Sequence, residues 1–260
     1  MARYILASWL LVLTLTAASV GPSKGTLFVV GGGKVGAELV DRFLALAGGA
    51  AAEIVYVPTA DDKDEFPGLE ASNFLSKAGA KKVTVLHTRD KAVADTEAFV
   101  APLKTARGVW FAGGRQWRLV DSYLGTKMHR ELEAVLKRGG VIGGTSAGAT
   151  ILGSFLVRGA RSGNTIMMDP TYQTGLGFLR GVAVDQHLIA RKRERDLLEV
   201  VQRFPKLLGL GLDESTAVVV RGDRFEVMGA SKVAVYEHGK DFYWLSPGDR
   251  FDLKARRKVP

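Results

Sequence analysis

The chain has 260 residues, 47% hydrophobic and 24% charged, which is ample material for one sizeable core and carries no bias toward disorder. It contains no cysteine, excluding a thiol nucleophile, a thiolate metal site, a CxxC redox centre and a disulfide scaffold. The net charge of +9 suits an acidic substrate or an anionic polymer. Nucleic acid is the weaker reading, because no aromatic residues interleave the basic runs at 191–193 and 254–258 and no recognition motif is present.

Residues 1–19 follow the plan of a secretory signal peptide: the short basic start Met1-Ala2-Arg3, an apolar stretch from 4 to 16, then the small residues Ala17-Ala18-Ser19 before Gly21-Pro22. The apolar stretch is too short to cross a bilayer comfortably. The expectation is export to a secreted or periplasmic location. No membrane contact is expected after cleavage, and residues 20–260 are expected to form a single domain. A homodimer stays open.

In chain order, short β-rich runs occur at 26–30, 54–57, 82–86, 108–111 and 140–142, each bounded by Gly, Pro or charged residues. Helical periodicity occupies 35–46, 69–78 and 117–136 between them. Apolar strands alternating with helices predict an α/β fold, a parallel sheet with helices on both faces. A further strand is expected at 182–184 and a helix over 188–204. Short strands then follow at 210–212, 217–220, 225–228, 233–236 and 242–245, with a turn at 221–224, predicting a C-terminal antiparallel β extension.

The segment Gly143-Gly144-Thr145-Ser146-Ala147-Gly148-Ala149 places Gly-x-Ser-x-Gly between a strand and a helix. In that context the serine reads as a nucleophile on a tight turn, with the Ala147 N–H beside a developing oxyanion. A serine needs a base, and the chain offers only His87, His129, His187 and His238. His129 and His238 read as solvated surface residues. His87 remains a candidate at a strand end. His187 is preferred, because it follows the strand at 182–184 at the sheet edge where open α/β folds place ligands. Gly113-Gly114-Arg115-Gln116 follows another strand, so its backbone could complete an oxyanion hole and Gln116 could meet a substrate. Arg191, one helical turn after His187, together with Arg193 and Arg195, offers bidentate binding of substrate carboxylates.

Gly31-Gly32-Gly33-Lys34-Val35-Gly36 matches a dinucleotide-binding pattern, but the acidic residue wanted at the end of the second strand is missing: Glu53 begins that strand. A tight turn over the sheet edge is the better reading. No acidic or histidine cluster has metal-ligand spacing, and no cofactor is expected.

Four segments, Phe111–Gln116, Gly144–Ala149, Asp185-Gln186-His187 and Gly211–Ala217, in this order resemble the cyanophycinase and dipeptidase E group of serine peptidases, over about residues 26–235. The Asp-Gln-His sequence favours the cyanophycinase branch. The resemblance implies a class I glutamine amidotransferase-like fold built on a flavodoxin-like parallel sheet. It implies Ser146 as nucleophile, His187 as general base, and Gly114 and Ala147 as oxyanion donors. Gln116, Asp185, Gln186, Arg191, Arg193 and, one position out of register, Arg195 would hold a β-aspartyl-arginine unit. The family's third catalytic member lies roughly 18 residues after the serine, where this chain reads Arg161-Ser162-Gly163-Asn164 with no acid. Asp169, the nearest carboxylate downstream, is the expected substitute, unless the role is filled otherwise. The expected activity is exopeptidase hydrolysis of a β-aspartyl-arginine polymer or related isopeptides. The alternatives are an aspartyl dipeptidase or other small-peptide hydrolase, or a non-catalytic binding protein on the same scaffold.

Overall fold

Strands covered on both faces are apolar throughout, and the strand Thr26–Val30 (β1) is buried along its whole length. A computed structural model describes residues 19–260; residues 1–18, which hold all but the last residue of the expected signal segment, lie outside the described part. The other strands are Glu53–Val57 (β2), Lys82–Val85 (β3), Gly108–Phe111 (β4), Val141–Thr145 (β5), Gly153–Phe155 (β6), Leu179–Gln186 (β7), Leu208–Leu212 (β8), Thr216–Arg221 (β9), Arg224–Gly229 (β10), Val233–Tyr236 (β11), Tyr243–Leu245 (β12), Arg250–Asp252 (β13) and Arg257–Val259 (β14).

The architecture is α/β, as expected, but the strands form two sheets. The larger has the order β14-β13-β10-β9-β1-β5-β4-β2-β3. Strands β1 to β5 pair in parallel within it. The antiparallel hairpin β9–β10 adds to the β1 edge and β13–β14 continues outward. The smaller sheet has the order β12-β11-β8-β7-β6, with β6, β7 and β8 parallel. The expected C-terminal extension is therefore divided between two sheets. The chain crosses from one to the other at the three-residue turn Asp213-Glu214-Ser215, where Ser215 takes a left-handed φ of 53° and donates its N–H to the Gly32 carbonyl.

The parallel part of the large sheet is covered on both faces. On one, Phe43 from the helix Ala37–Ala47 meets Trp110 edge-on at 4.9 Å and Phe28 at 6.0 Å. On the other, Leu119, Leu132 and Val135 pack with Val55, Val109 and Ile142.

Three helical expectations change. Residues 117–136 form two helices, Gln116–Tyr123 and Lys127–Lys137, because Gly125 takes a left-handed φ of 78° and the Thr126 hydroxyl caps the second. Residues 69–78 break at Asn73, which caps the helix Phe74–Lys77. Residues 188–195 are turns, and the helix begins only at Asp196, ending at Arg203. The dense basic run at 191–195, with like charges four apart, disfavours an earlier start.

Candidate active site

The residues at the centre of the site stand immediately past the carboxyl ends of strands: Gly31 after β1, Ser146 after β5, His187 after β7, Asp213 and Glu214 after β8. The register sets Val30 opposite Thr145 and Gln186 opposite Leu212, so these four chain ends are neighbours.

Ser146 sits at φ 55°, ψ −115° between β5 and the short helix Ala147–Thr150. A non-glycine residue there carries roughly 1–3 kcal/mol of strain. The surrounding backbone over-determines the turn. The Ser146 N–H donates to the Val30 carbonyl at 3.1 Å, and its own carbonyl accepts from Ala149 and Thr150 at 3.0 Å. Gly144 and Gly148 allow the turn to close: a β-carbon on Gly144 would lie 2.2 Å from the Gly148 carbonyl oxygen, and one on Gly148 would lie 2.3 Å from that of Phe111.

The Ser146 hydroxyl lies 2.9 Å from His187 Nε2, and His187 Nδ1 lies 2.5 Å from Glu214 Oε1. An ionised carboxylate only accepts, so Glu214 fixes the ring proton on Nδ1 and leaves Nε2 free to receive the serine proton. Burial holds the imidazole below its ordinary pKa; the Glu214 hydrogen bond opposes this, while the charges of Arg191 and Arg193 reinforce it. The ring is therefore neutral at neutral pH, the form a base requires.

The glycine-rich loop after β1 makes room for this pair. Gly32, at φ 124°, would carry a β-carbon 2.3–2.7 Å from three atoms of the His187 ring, and one on Gly33 would lie 2.7 Å from Glu214 Oε2. The Gly31 carbonyl accepts the His187 N–H at 2.8 Å. The segment resembling a dinucleotide loop is thus the floor under the imidazole.

Asp169 is not on His187. Its carboxylate accepts from the Thr171 N–H at 2.8 Å in a local turn, and Glu214 holds the ring nitrogen instead. This corrects the expectation that Asp169 completes the serine–histidine pair. Glu214 lay unassigned within a segment already notable, and its place after β8, on the edge that carries Ser146 and His187, was the available signal. Asp213 beside it is buried and accepts from the Ile189 and Ala190 N–H groups and from the Ser231 hydroxyl, which holds its carboxyl below the usual range against the opposing effect of burial. It ties down the turn that follows His187.

Gly113 runs beside the serine: a β-carbon there would lie 3.9 Å from Ser146 Oγ. Gly114, at φ 139°, packs on the Ala60 carbonyl, which accepts the Arg115 N–H at 2.7 Å. Ala147 opens its helix, so its N–H has no helical acceptor.

The remaining residues divide. Gln116 is buried and donates through Nε2 to the Val157 carbonyl at 2.8 Å. Arg193 is buried and donates to the Gln186 carbonyl and side-chain oxygens, both at 3.2 Å. Arg191 is exposed on the turn after His187 rather than on a helix face shared with it, though its N–H reaches back to the His187 carbonyl at 3.0 Å. Arg195 is exposed and lies 3.9 Å from Asp241, toward the far loop. Asp185 is not an open ligand: both its oxygens accept from Arg158, at 2.7 and 2.8 Å. Of the other histidines, His87 Nδ1 lies 2.7 Å from the Thr59 hydroxyl, away from Ser146's partner ring. His129 is half-buried and bonded to the Leu176 carbonyl at 2.8 Å rather than solvated, whereas His238 is exposed.

The family profile described as Peptidase family S51 matches residues 27–228. A cyanophycinase of Geminocystis herdmanii is 30% identical over 264 residues, covering 91% of this chain and 96% of that protein. A cyanophycinase of a Nostoc species is 31% identical over 267 residues, covering 92% and 89%. Among solved structures, a peptidase from an acI-B1 actinobacterium is similar with a TM-score of 0.69 at 23% identity, covering 89% of this chain and 98% of that one. A putative peptidase E of Listeria monocytogenes EGD-e gives 0.56 at 17% identity, covering 80% and 99%.

Proposed function

The chain belongs to peptidase family S51 and is a serine hydrolase acting on peptides, and from that premise we propose that Ser146, His187 and Glu214 carry its chemistry. The observation behind this reading is the continuous relay from Ser146 Oγ through both ring nitrogens to Glu214, at 2.9 and 2.5 Å. Ser146 Oγ attacks the peptide carbonyl as Nε2 takes its proton, and Glu214 stabilises the imidazolium that forms. The Ala147 and Gly114 N–H groups receive the oxyanion. The imidazolium then gives its proton to the leaving amine. Water, deprotonated by the same nitrogen, hydrolyses the acyl-enzyme and Ser146 recovers its proton.

For substrate we propose short β-aspartyl peptides and isopeptides, cut by exopeptidase action outside the cytoplasm after loss of the N-terminal segment. The cyanophycinase name of the relatives supports the expected β-aspartyl-arginine unit. Buried Arg193 and exposed Arg191 beside His187 support recognition of substrate carboxylates. Asp185 is already paired with Arg158, so its carboxylate is not open to the arginine half. The non-catalytic alternative drew on the missing acid and the basic surface, and Glu214 beside His187 weighs against the first of these.

Purified protein should release dipeptides from β-aspartyl peptides and be labelled at Ser146 by a fluorophosphonate, with Ser146→Ala losing both. Equal hydrolysis by wild type and Ser146→Ala would sink the mechanism. Sequencing the amino terminus of exported protein tests removal of the leader.

A further inference from the structure

We infer that an arginine-bordered cavity on the outer antiparallel strands of the large sheet binds a small anion carrying two or more phosphate or carboxylate groups. The site is separate from the serine–histidine centre and does not depend on it.

The cavity, of about 180 Å³, is bordered by Arg42 from the helix Ala37–Ala47, Arg221 from β9, Arg224 from β10 and Arg250 from β13. Strand register puts the three strand arginines on one face. Arg221 stands directly opposite Arg224, and Glu226, two residues further along β10, stands opposite Arg250. Side chains opposite one another in an antiparallel pair share a face. The alternate positions Val220, Phe225 and Phe251 are buried in the core. Val219, on the arginine face, belongs to the same apolar cluster as Leu39 and Phe43, so the helix that carries Arg42 covers this side.

The positive charge is not neutralised within the protein. Among the described residues, the side chains of Arg42 and Arg250 have no hydrogen-bond or ion-pair partner. Arg221 makes one long hydrogen bond, from Nε to the Thr26 hydroxyl at 3.4 Å, and Arg224 Nε lies 3.9 Å from Asp252. Like charges directly opposite on paired strands destabilise a sheet, so the Arg221–Arg224 pair is a local cost. Asp223, in the turn between them, is engaged elsewhere: its Oδ1 accepts from the Ser19 hydroxyl at 2.7 Å and from the Val20 N–H at 2.6 Å. Glu226 and Pro260 also border the cavity, and among the described residues neither forms an ion pair with these arginines.

A multiply charged anion supplies what these side chains lack. A guanidinium presents a planar fork of donors that matches the oxygens of phosphate and carboxylate. One such group serves one or two forks, so four call for more than one group. The volume agrees: at roughly 30 Å³ per water it holds about six water-sized groups, more than the four oxygens of a single phosphate. The place is remote from the chemistry. Arg221 bonds to Thr26 at the start of β1, whereas Ser146 follows Thr145, which pairs with Val30 at the other end of that strand.

The test is calorimetric titration of the purified protein with pyrophosphate and with citrate, taking orthophosphate and acetate as their single-group controls. At least one of the two should bind with a Kd below about 1 mM, about tenfold or more tighter than its control, and more weakly as salt is raised. Binding of pyrophosphate alone assigns the site to phosphates, of citrate alone to carboxylates, and of both to multiply charged anions of either kind. Arg42→Gln and Arg250→Gln remove guanidinium groups that hold nothing in the fold. Each should weaken binding by about tenfold, the scale of one lost charged hydrogen bond. In the unaltered protein the bound anion should slow phenylglyoxal modification of Arg42 and Arg250, read by peptide mass, which needs no variant. The inference is overturned if neither anion binds more tightly than its control, if binding leaves both arginines equally reactive, or if the Arg42→Gln, Arg250→Gln double variant binds as wild type does.

Discussion

Replacing Glu214 by glutamine keeps the size of the side chain and removes its charge. If the new amide turns its NH2 toward His187 Nδ1, now 2.5 Å from Oε1, the ring proton is driven to Nε2. That nitrogen, 2.9 Å from the Ser146 hydroxyl, can then no longer accept. In a serine protease with a buried aspartate the equivalent change costs about 10⁴ in kcat. The Glu214 side chain is 38% exposed, so solvent screens its charge and the amide can turn over. The expected loss is therefore smaller, about a hundred- to a thousand-fold, or roughly 3–4 kcal/mol of transition-state stabilisation at 1.36 kcal/mol per decade. It should appear in kcat and equally in the second-order rate of fluorophosphonate labelling at Ser146. Asp169→Asn, which alters only a local turn, should leave both rates within about twofold, as surface changes usually do. An unimpaired Glu214→Gln enzyme, or a larger loss in Asp169→Asn, would refute the assignment.

Burial is the main cause that lowers the His187 pKa, so the neutral base persists below the ordinary histidine range and kcat/KM should decline only as pH falls through that lowered value. Arg191→Gln removes a charge that helps lower it, and the acid limb of the pH profile should move to higher pH. Gly32→Ala puts a β-carbon into the imidazole at a positive φ, and should cost about a hundredfold or more in labelling rate, as misplacement of a catalytic group by about an ångström does. In urea unfolding, Arg158→Ala should destabilise by about 3–5 kcal/mol, because it strands a buried carboxylate, whereas Arg158→Met combined with Asp185→Asn should cost much less.

Ser146 and His187 were legible because each sits where local pattern carries position. A strand, a turn of small residues and a helix place a serine at a sheet edge whatever the rest of the chain does, and a histidine closing a strand reaches the same edge. The glycines at 31–36 were legible as a tight turn, but their purpose was not: the ring and carboxylate they clear arrive from more than 150 residues later. The carboxylate beside His187 was misplaced because counting residues from the serine takes no account of where the chain folds. Arg161 is bound to Tyr172 and Asp121, and the Asp169 carboxylate accepts from the Thr171 N–H. Asp185 was legible as a residue at a strand end but its partner was not, since nothing local announces that Arg158, 27 positions earlier, will close on both its oxygens.

Alternating apolar runs and helical periods by themselves determined the α/β architecture, and the strand-turn-helix context determined the position of Ser146. Tertiary structure alone decided that the C-terminal strands divide between two sheets, that Glu214 rather than Asp169 meets His187, and that Asp185 is spent within the protein. The physical reason is range. Periodicity and turn chemistry act over a few residues, whereas a carboxylate's partner is whichever donor the packed strands bring within about 3 Å of it, and that distance is set by the whole fold.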